Sequence, residues 1–224
     1  MSVVERLRGG LVASCQPVDN GPMDRPDIVA AMAQAAVAGG AVGLRIEGMA
    51  NLRATRPLVD VPIIGIVKRD LDDSPVRITV TVADVIALIE AGADIVAYDA
   101  TPRPRTDTRE DILAAILAHG AVAMADCATV EDARAALTAG AAVTGTTLSG
   151  YTAETASDDD GPDFALLGRF RDLGGFVMAE GRFNLPALAA EAMRAGADAV
   201  TVGSALTRME IVTGWFADAV RGAR

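Results

Sequence analysis

The sequence predicts an α/β fold, a single-domain (β/α)8 TIM barrel over residues 1–224. Three observations lead there. Four similar segments begin at residues 38, 91, 139 and 195, each a helix end, a glycine stop and a short apolar strand. Four further apolar runs, 11–15, 62–67, 121–125 and 175–179, fall between or before them and bring the strand number to eight. All eight are continuous apolar runs without in-out alternation, the pattern of parallel strands buried on both faces.

Helices fill the intervals. Residues 82–90 place Val85, Ile86 and Ile89 on one face. Thr81-Val82-Ala83-Asp84 and Thr129-Val130-Glu131-Asp132 read as capping boxes with Asp in place of Glu. Asn184-Leu185-Pro186 reads as a cap residue and an early proline opening another helix. Residues 156–163 are acidic and turn-rich, a surface excursion in which Asp158-Asp159-Asp160 reads as solvated rather than as a metal site. The competing architecture is an open doubly wound sheet, which usually carries a glycine-rich loop after its first strand. Ser14-Cys15-Gln16-Pro17 is no such loop.

Composition narrows the function. Hydrophobic residues make up 51% of the chain and mean hydropathy is +0.31, so a large core is expected, and with 4% aromatics it is built from aliphatic side chains. A net charge of −10 argues against a nucleic-acid partner. Two cysteines make no disulfide framework and fit a reducing compartment. The first residues carry charge where a signal peptide is apolar, and the uncharged stretches 28–44 and 135–153 are too rich in Gly, Ala and Thr to cross a membrane. The expectation is a soluble cytoplasmic protein without a membrane partner. Of 20 basic residues, 19 are Arg and one is Lys68. Base composition accounts for the arginines; a lone lysine, which unlike arginine can lose its proton, is a candidate for proton transfer or Schiff-base chemistry.

In such barrels the chemistry sits at the C-terminal strand ends. In order those ends carry Gln16, then Arg45 with Glu47, Lys68, Asp99, Asp126, Thr146 with Thr147, Glu180, and Gly203 with Ser204. Buried charge is costly unless paired, so a ring of ionisable ends points to a site. Strands three and seven face each other across the mouth. Lys68 and Glu180 would therefore flank a sugar-sized ligand, one removing a proton and the other returning it from the opposite face. The alternative is a structural Lys–Glu ion pair. Burial and Arg45 would lower the Lys68 pKa, while Asp99 or Asp126 would raise it. Gly181, Arg182, Gly203 and Ser204 follow strands seven and eight, where barrels commonly hold phosphate, and Arg208 adds a charged clamp. His119, the one histidine, precedes strand five, at the wrong end for catalysis, so neither a catalytic histidine nor a His-based metal site is expected. Cys15 and Cys127 read as buried small residues, with Cys127 bordering the site, and Trp215 and Phe216 as core or interface anchors.

Several stretches resemble one family, the N-acetylmannosamine-6-phosphate 2-epimerases. They are Ser14-Cys15-Gln16, Arg45-Ile46-Glu47-Gly48, residues 62–70 around Lys68, residues 72–79, Ala123-Met124-Ala125-Asp126, residues 146–152, Ala179-Glu180-Gly181-Arg182 and residues 202–208. The resemblance implies a barrel that interconverts N-acetylmannosamine 6-phosphate and N-acetylglucosamine 6-phosphate in sialic acid and N-acetylmannosamine catabolism. It implies no metal or organic cofactor, and many members are homodimers. By it, Lys68 and Glu180 are the catalytic pair, and Gln16, Arg45, Asp126 and Arg208 contact substrate. Asp99 is counted as a further substrate contact from its place in the ring. On this reading the open-chain aldehyde makes the C2 proton acidic, and Lys68 and Glu180 exchange it through an enolate. Gln16 and Arg45 would hold oxygens, and Asp126 would orient a hydroxyl or Lys68. A Schiff-base aldolase using Lys68 and a non-catalytic phosphosugar sensor are the competing readings.

Overall fold

The computed structural model describes residues 1–157 and 160–223. Of the acidic triplet read as a solvated loop, Asp158 and Asp159 lie outside the described residues. Eight strands close into a barrel in chain order: β1 (Leu11–Cys15), β2 (Gly43–Glu47), β3 (Ile63–Ile66), β4 (Ile95–Asp99), β5 (Val122–Asp126), β6 (Val143–Gly145), β7 (Phe176–Glu180) and β8 (Ala199–Val202). Every neighbouring pair is parallel, and β8 pairs with β1 to close the ring. The open sheet is thereby excluded.

Nine α-helices accompany the strands among the described residues: α1 (Pro26–Ala38), α2 (Met49–Thr55), α3 (Val82–Glu90), α4 (Arg109–Ala118), α5 (Val130–Ala139), α6 (Phe164–Leu173), α7 (Pro186–Ala195), α8 (Ser204–Thr207) and α9 (Met209–Gly222). The continuous apolar strands divide into two cores because successive side chains point to opposite faces. Val12, Ile64, Ile95, Met124, Val143, Met178 and Ala199 fill the lumen. Ala13, Leu44, Val96, Ala123 and Val177 pack outward against the helices.

Local signals behave unevenly. Thr129 and Asp132 form the full capping box that opens α5, and Thr108 with Asp111 forms another at α4 that the sequence reading did not single out. At α3, Thr81 accepts from the Asp84 N–H, but the box is half made because the Asp84 carboxylate goes to Arg69. Asn184 is not a cap. Leu185 occupies that position and Pro186 begins α7.

Two features position the site. β3 and β4 share only two register pairs and then diverge. The chain from Lys68 to Thr79 folds back as a hairpin into that gap, with Lys68 bridged to Ile78 and the Asp99 N–H donating to the Ile78 carbonyl at 3.2 Å. Thr79 adopts φ 46°, a costly left-handed conformation for a β-branched residue, and its hydroxyl donates to the Ala97 carbonyl at 2.7 Å. The second feature is α9. None of its residues is buried, and Trp215 and Phe216 are 40% and 70% exposed. The core alternative for these two aromatics is therefore overturned: α9 presents its apolar side to the outside of this chain.

Candidate active site

A cavity of about 280 Å³ opens at the C-terminal ends of the strands. Of the sequence-predicted residues, Gln16, Arg45, Lys68, Thr147, Glu180, Gly181, Arg182, Gly203, Ser204 and Arg208 line it. β3 and β7 are four apart in the closed ring, so Lys68 and Glu180 reach the cavity from opposite sides.

Arg45 is the foundation. Its guanidinium is 1% exposed and grips Asp126 with two hydrogen bonds, Nη1 to Oδ1 at 3.1 Å and Nη2 to Oδ2 at 2.6 Å. Nη1 also donates to Glu180 Oε2 at 3.0 Å. Burial opposes the charge on Arg45, but Asp126 and Glu180 outweigh it and raise its pKa. Thr147 donates to Asp126 Oδ1 at 2.7 Å. Asp126 is itself fully buried and does not line the cavity. Asp126 holds Arg45, because a buried guanidinium needs a carboxylate to balance it.

The carboxylate of Glu180 goes to Arg45, and among the described ion pairs none involves Lys68. The alternative of a structural Lys68–Glu180 pair is set aside. The two pKa values move toward each other. Burial pushes Glu180 up, the Arg45 charge opposes and Asp126 assists, giving about 7. Burial pulls Lys68 down, Glu47 and Asp19 oppose, and Arg208 and Arg45 add to the lowering. Glu47 and Asp19, rather than the expected Asp99 or Asp126, are the leading acidic groups that oppose the lowering.

Asp99, expected from the ring to contact substrate, is placed apart from the other ring residues. It is 1% exposed yet stands outside the cavity. Arg103 Nη2 donates to its Oδ2 at 2.6 Å, Thr101 Oγ1 to its Oδ1 at 2.6 Å, and Arg105 donates to Oδ1 and to the main chain. The carboxylate is saturated by its own loop, and the hairpin carrying Ile78 stands between β3 and β4. Arg182 lines the cavity, but its Nε donates to the Gly161 carbonyl and its Nη1 to the Ser149 carbonyl, and the guanidinium stacks on Tyr151. Through these two donors it clasps the loop after β6 while it lines the cavity. Arg208 donates through Nε to the Gln16 carbonyl at 3.0 Å.

The end of β7 is fixed by β6. The Thr146 hydroxyl accepts from the Glu180 N–H at 3.0 Å and donates to the Glu180 carbonyl at 2.8 Å, taking over where the ladder stops. Gly181 then turns the chain at φ 105°, where a side chain would be strained. Sequence reasoning missed Ser14, Ile66, Ile78, Leu148, Tyr151, Phe183, Asn184 and Thr201 as lining residues. Inward periodicity could have found Ser14, Ile66 and Thr201; no local signal marks Ile78 or Tyr151. His119 caps the end of α4, on the opposite side of the barrel from the cavity, and Cys15 and Cys127 are buried free thiols on the helix-facing side. Burial pushes both thiols up, Cys15 to about 12.

Residues 29–222 match the sequence profile of the family described as "Putative N-acetylmannosamine-6-phosphate epimerase". The chain belongs to this family. A relative from Shigella dysenteriae named "Putative N-acetylmannosamine-6-phosphate 2-epimerase" is 59% identical over 96% of this chain and 93% of its own. One of the same name from Pasteurella multocida is 55% identical over 99% and 96%. The solved N-acetylmannosamine-6-phosphate 2-epimerase of Clostridium perfringens superposes with a TM-score of 0.93 at 35% identity, covering 98% of this chain and 96% of that one. A thiamine phosphate pyrophosphorylase from Pyrococcus furiosus, at 18% identity and TM-score 0.61, shares the fold alone. Within this epimerase family member, the cavity between β3 and β7 is the natural candidate for the reaction.

Proposed function

We propose that the protein interconverts N-acetylmannosamine 6-phosphate and N-acetylglucosamine 6-phosphate by removing and returning the C2 proton, in sialic acid and N-acetylmannosamine catabolism. The observation that carries this is the opposed pair: Lys68 and Glu180 enter one cavity from strands four apart, with pKa values moved toward each other. Family membership supplies the substrate class.

In the open-chain sugar the C1 aldehyde makes the C2 proton acidic. One of the pair takes that proton, the electron pair moves onto the carbonyl oxygen as an enolate, and the other returns a proton to the opposite face. Arg45, held charged and fixed by Asp126, stabilises the developing negative charge. Gln16, with its amide nitrogen on Ser14 Oγ, presents its carboxamide to the substrate oxygens. The backbone at Gly181, Gly203 and Ser204, with Arg208, binds the phosphate. That remote binding holds C2 between the two reacting groups. The cycle uses only protein groups and substrate, so treatment with a chelator should leave the rate unchanged.

The test is proton NMR of N-acetylmannosamine 6-phosphate with enzyme in heavy water. Conversion to the gluco epimer with deuterium at C2 supports the proposal. A folded sample that binds the sugar without conversion or exchange overturns it in favour of a sensor. A lysine with a lowered pKa also suits a Schiff base, and borohydride trapping of a covalent adduct would favour the aldolase reading.

The homodimer belongs to the same proposal. An apolar groove of about 670 Å³ between α7 and α9, lined by Leu185, Leu206, Trp215 and Phe216 among others, offers a face for a second copy. Sedimentation at twice the chain mass would support it. A cytoplasmic setting agrees with two unpaired thiols.

A further inference from the structure

Among the described residues, three buried threonine hydroxyls make no hydrogen bond: those of Thr55, Thr144 and Thr201. A buried hydroxyl without a partner is destabilising, so each one calls for a reason. Thr201 differs from the others in its position. It lines the cavity, and the parallel pairing of β7 with β8 sets it directly opposite Glu180 on the lumen face. Thr144, on β6, has the outward register of the helix-facing side.

We propose that Thr201 is a positioning residue for Glu180, its hydroxyl following the proton on that carboxyl group. It donates to the carboxylate and accepts from the carboxylic acid, so that Glu180 keeps one orientation through both halves of the reaction. The inference rests on the proposed role of Glu180 in moving the C2 proton.

The chemistry of the surrounding groups supports the assignment. Glu180 is faced by Arg45 from β2, Lys68 from the end of β3, Asp126 from β5 and Thr201 from β8. Arg45 only donates, so its bond is lost in strength when the carboxyl becomes neutral. Asp126 is committed to Arg45 and Thr147. Lys68, itself influenced by Glu47, Arg208 and Asp19, is the other reacting group and must be free to approach the substrate. A hydroxyl can exchange donor for acceptor by rotating one bond. Thr201 is the group near Glu180 that can do so without joining the reaction. It is close enough to favour the ionised form of Glu180, yet it is not aligned into a hydrogen bond in the structure. A hydroxyl beside the carboxyl that is committed to no other partner is what both states require.

The experiment compares Thr201→Val, Thr201→Ser and the control Thr144→Val with the parent protein. Thr201→Val keeps the shape and removes the hydroxyl. The Glu180 carboxyl is followed by 13C NMR, its signal identified by loss in Glu180→Gln, alongside kcat and KM for N-acetylmannosamine 6-phosphate. In Thr201→Val the Glu180 midpoint should rise by up to about one pH unit, because a hydroxyl bonds the charged carboxylate more strongly than it accepts from the neutral acid, and kcat should fall about tenfold at unchanged KM. Thr201→Ser should restore both, and Thr144→Val should move neither. An unchanged Glu180 midpoint in Thr201→Val overturns the proposal, as does an equal shift in Thr144→Val. If the parent protein does not turn the sugar over, the functional reading fails, and the titration alone still decides whether Thr201 holds Glu180. Should Thr201→Val not fold, Thr201→Ala carries the same comparison.

Discussion

Asp99 and Asp126 are register partners at the ends of β4 and β5, both almost fully buried and both saturated by arginine. Their roles nevertheless differ. Asp126 receives Arg45, which comes from β2 across the lumen, lines the cavity and shares its Nη1 between Asp126 and Glu180. Asp99 receives Arg103 and Arg105, four and six residues further along its own loop. A carboxylate answered from across the barrel becomes part of the site's floor. One answered from its own loop becomes an anchor for that loop. The same residue type at the same level of the same barrel is thus sorted by where its counter-charge originates.

The largest expected effect lies at the pair above this floor. Lys68→Met and Glu180→Gln should each reduce kcat by roughly 10²–10⁴-fold, the usual worth of a general acid or base, with phosphosugar binding retained by calorimetry. Activity within tenfold of the parent in either would remove the pair from the chemistry.

The comparison itself is sharpened by Asp126→Asn. Removing that charge leaves Arg45 to Glu180 alone, so the Glu180 midpoint should drop below its value near 7 while kcat falls. Losing one partner of a buried pair also costs on the order of 3 kcal/mol in stability, which urea unfolding would register. Asp99→Asn should show the opposite balance: a stability loss of about 2 kcal/mol with kcat within a factor of about three. A large loss of kcat with unchanged stability would break the distinction and return Asp99 to the site.

The pH profile follows from the same charges. With both members of the pair protonated there is no base, and with both deprotonated there is no acid. The active form carries one proton between them, whichever residue holds it. The log of kcat should therefore rise with pH through about 7, where Glu180 titrates, and fall again below the ordinary lysine range because Lys68 is lowered. A profile flat across pH 6 to 8 would contradict this assignment. The smallest effect is expected at Arg182→Ala. Loss of the clasp on the Ser149 and Gly161 carbonyls should raise KM several-fold with kcat nearly unchanged.

The amino-acid sequence by itself determined the barrel and the opposition of Lys68 to Glu180. Both follow from local information, the apolar runs with their glycine stops and the order of strands in a closed ring. It also marked most of the cavity lining, because the first polar residue after a buried strand has to face an end of the barrel. Tertiary structure alone decided which of those charges are free. Arg45 meets Asp126 from 81 positions away, Asp99 is silenced within its own loop, and Arg182 spends its donors on carbonyls 21 and 33 residues distant. Only the closed structure decided that Ile78 stands in the gap after β3 and that Trp215 and Phe216 face outward. The physical reason is that burial makes the pairing of each charge compulsory but does not specify the partner. Strand and helix patterns extend over a few residues, whereas the partner is fixed by distances across the barrel, which appear only once the ring has closed.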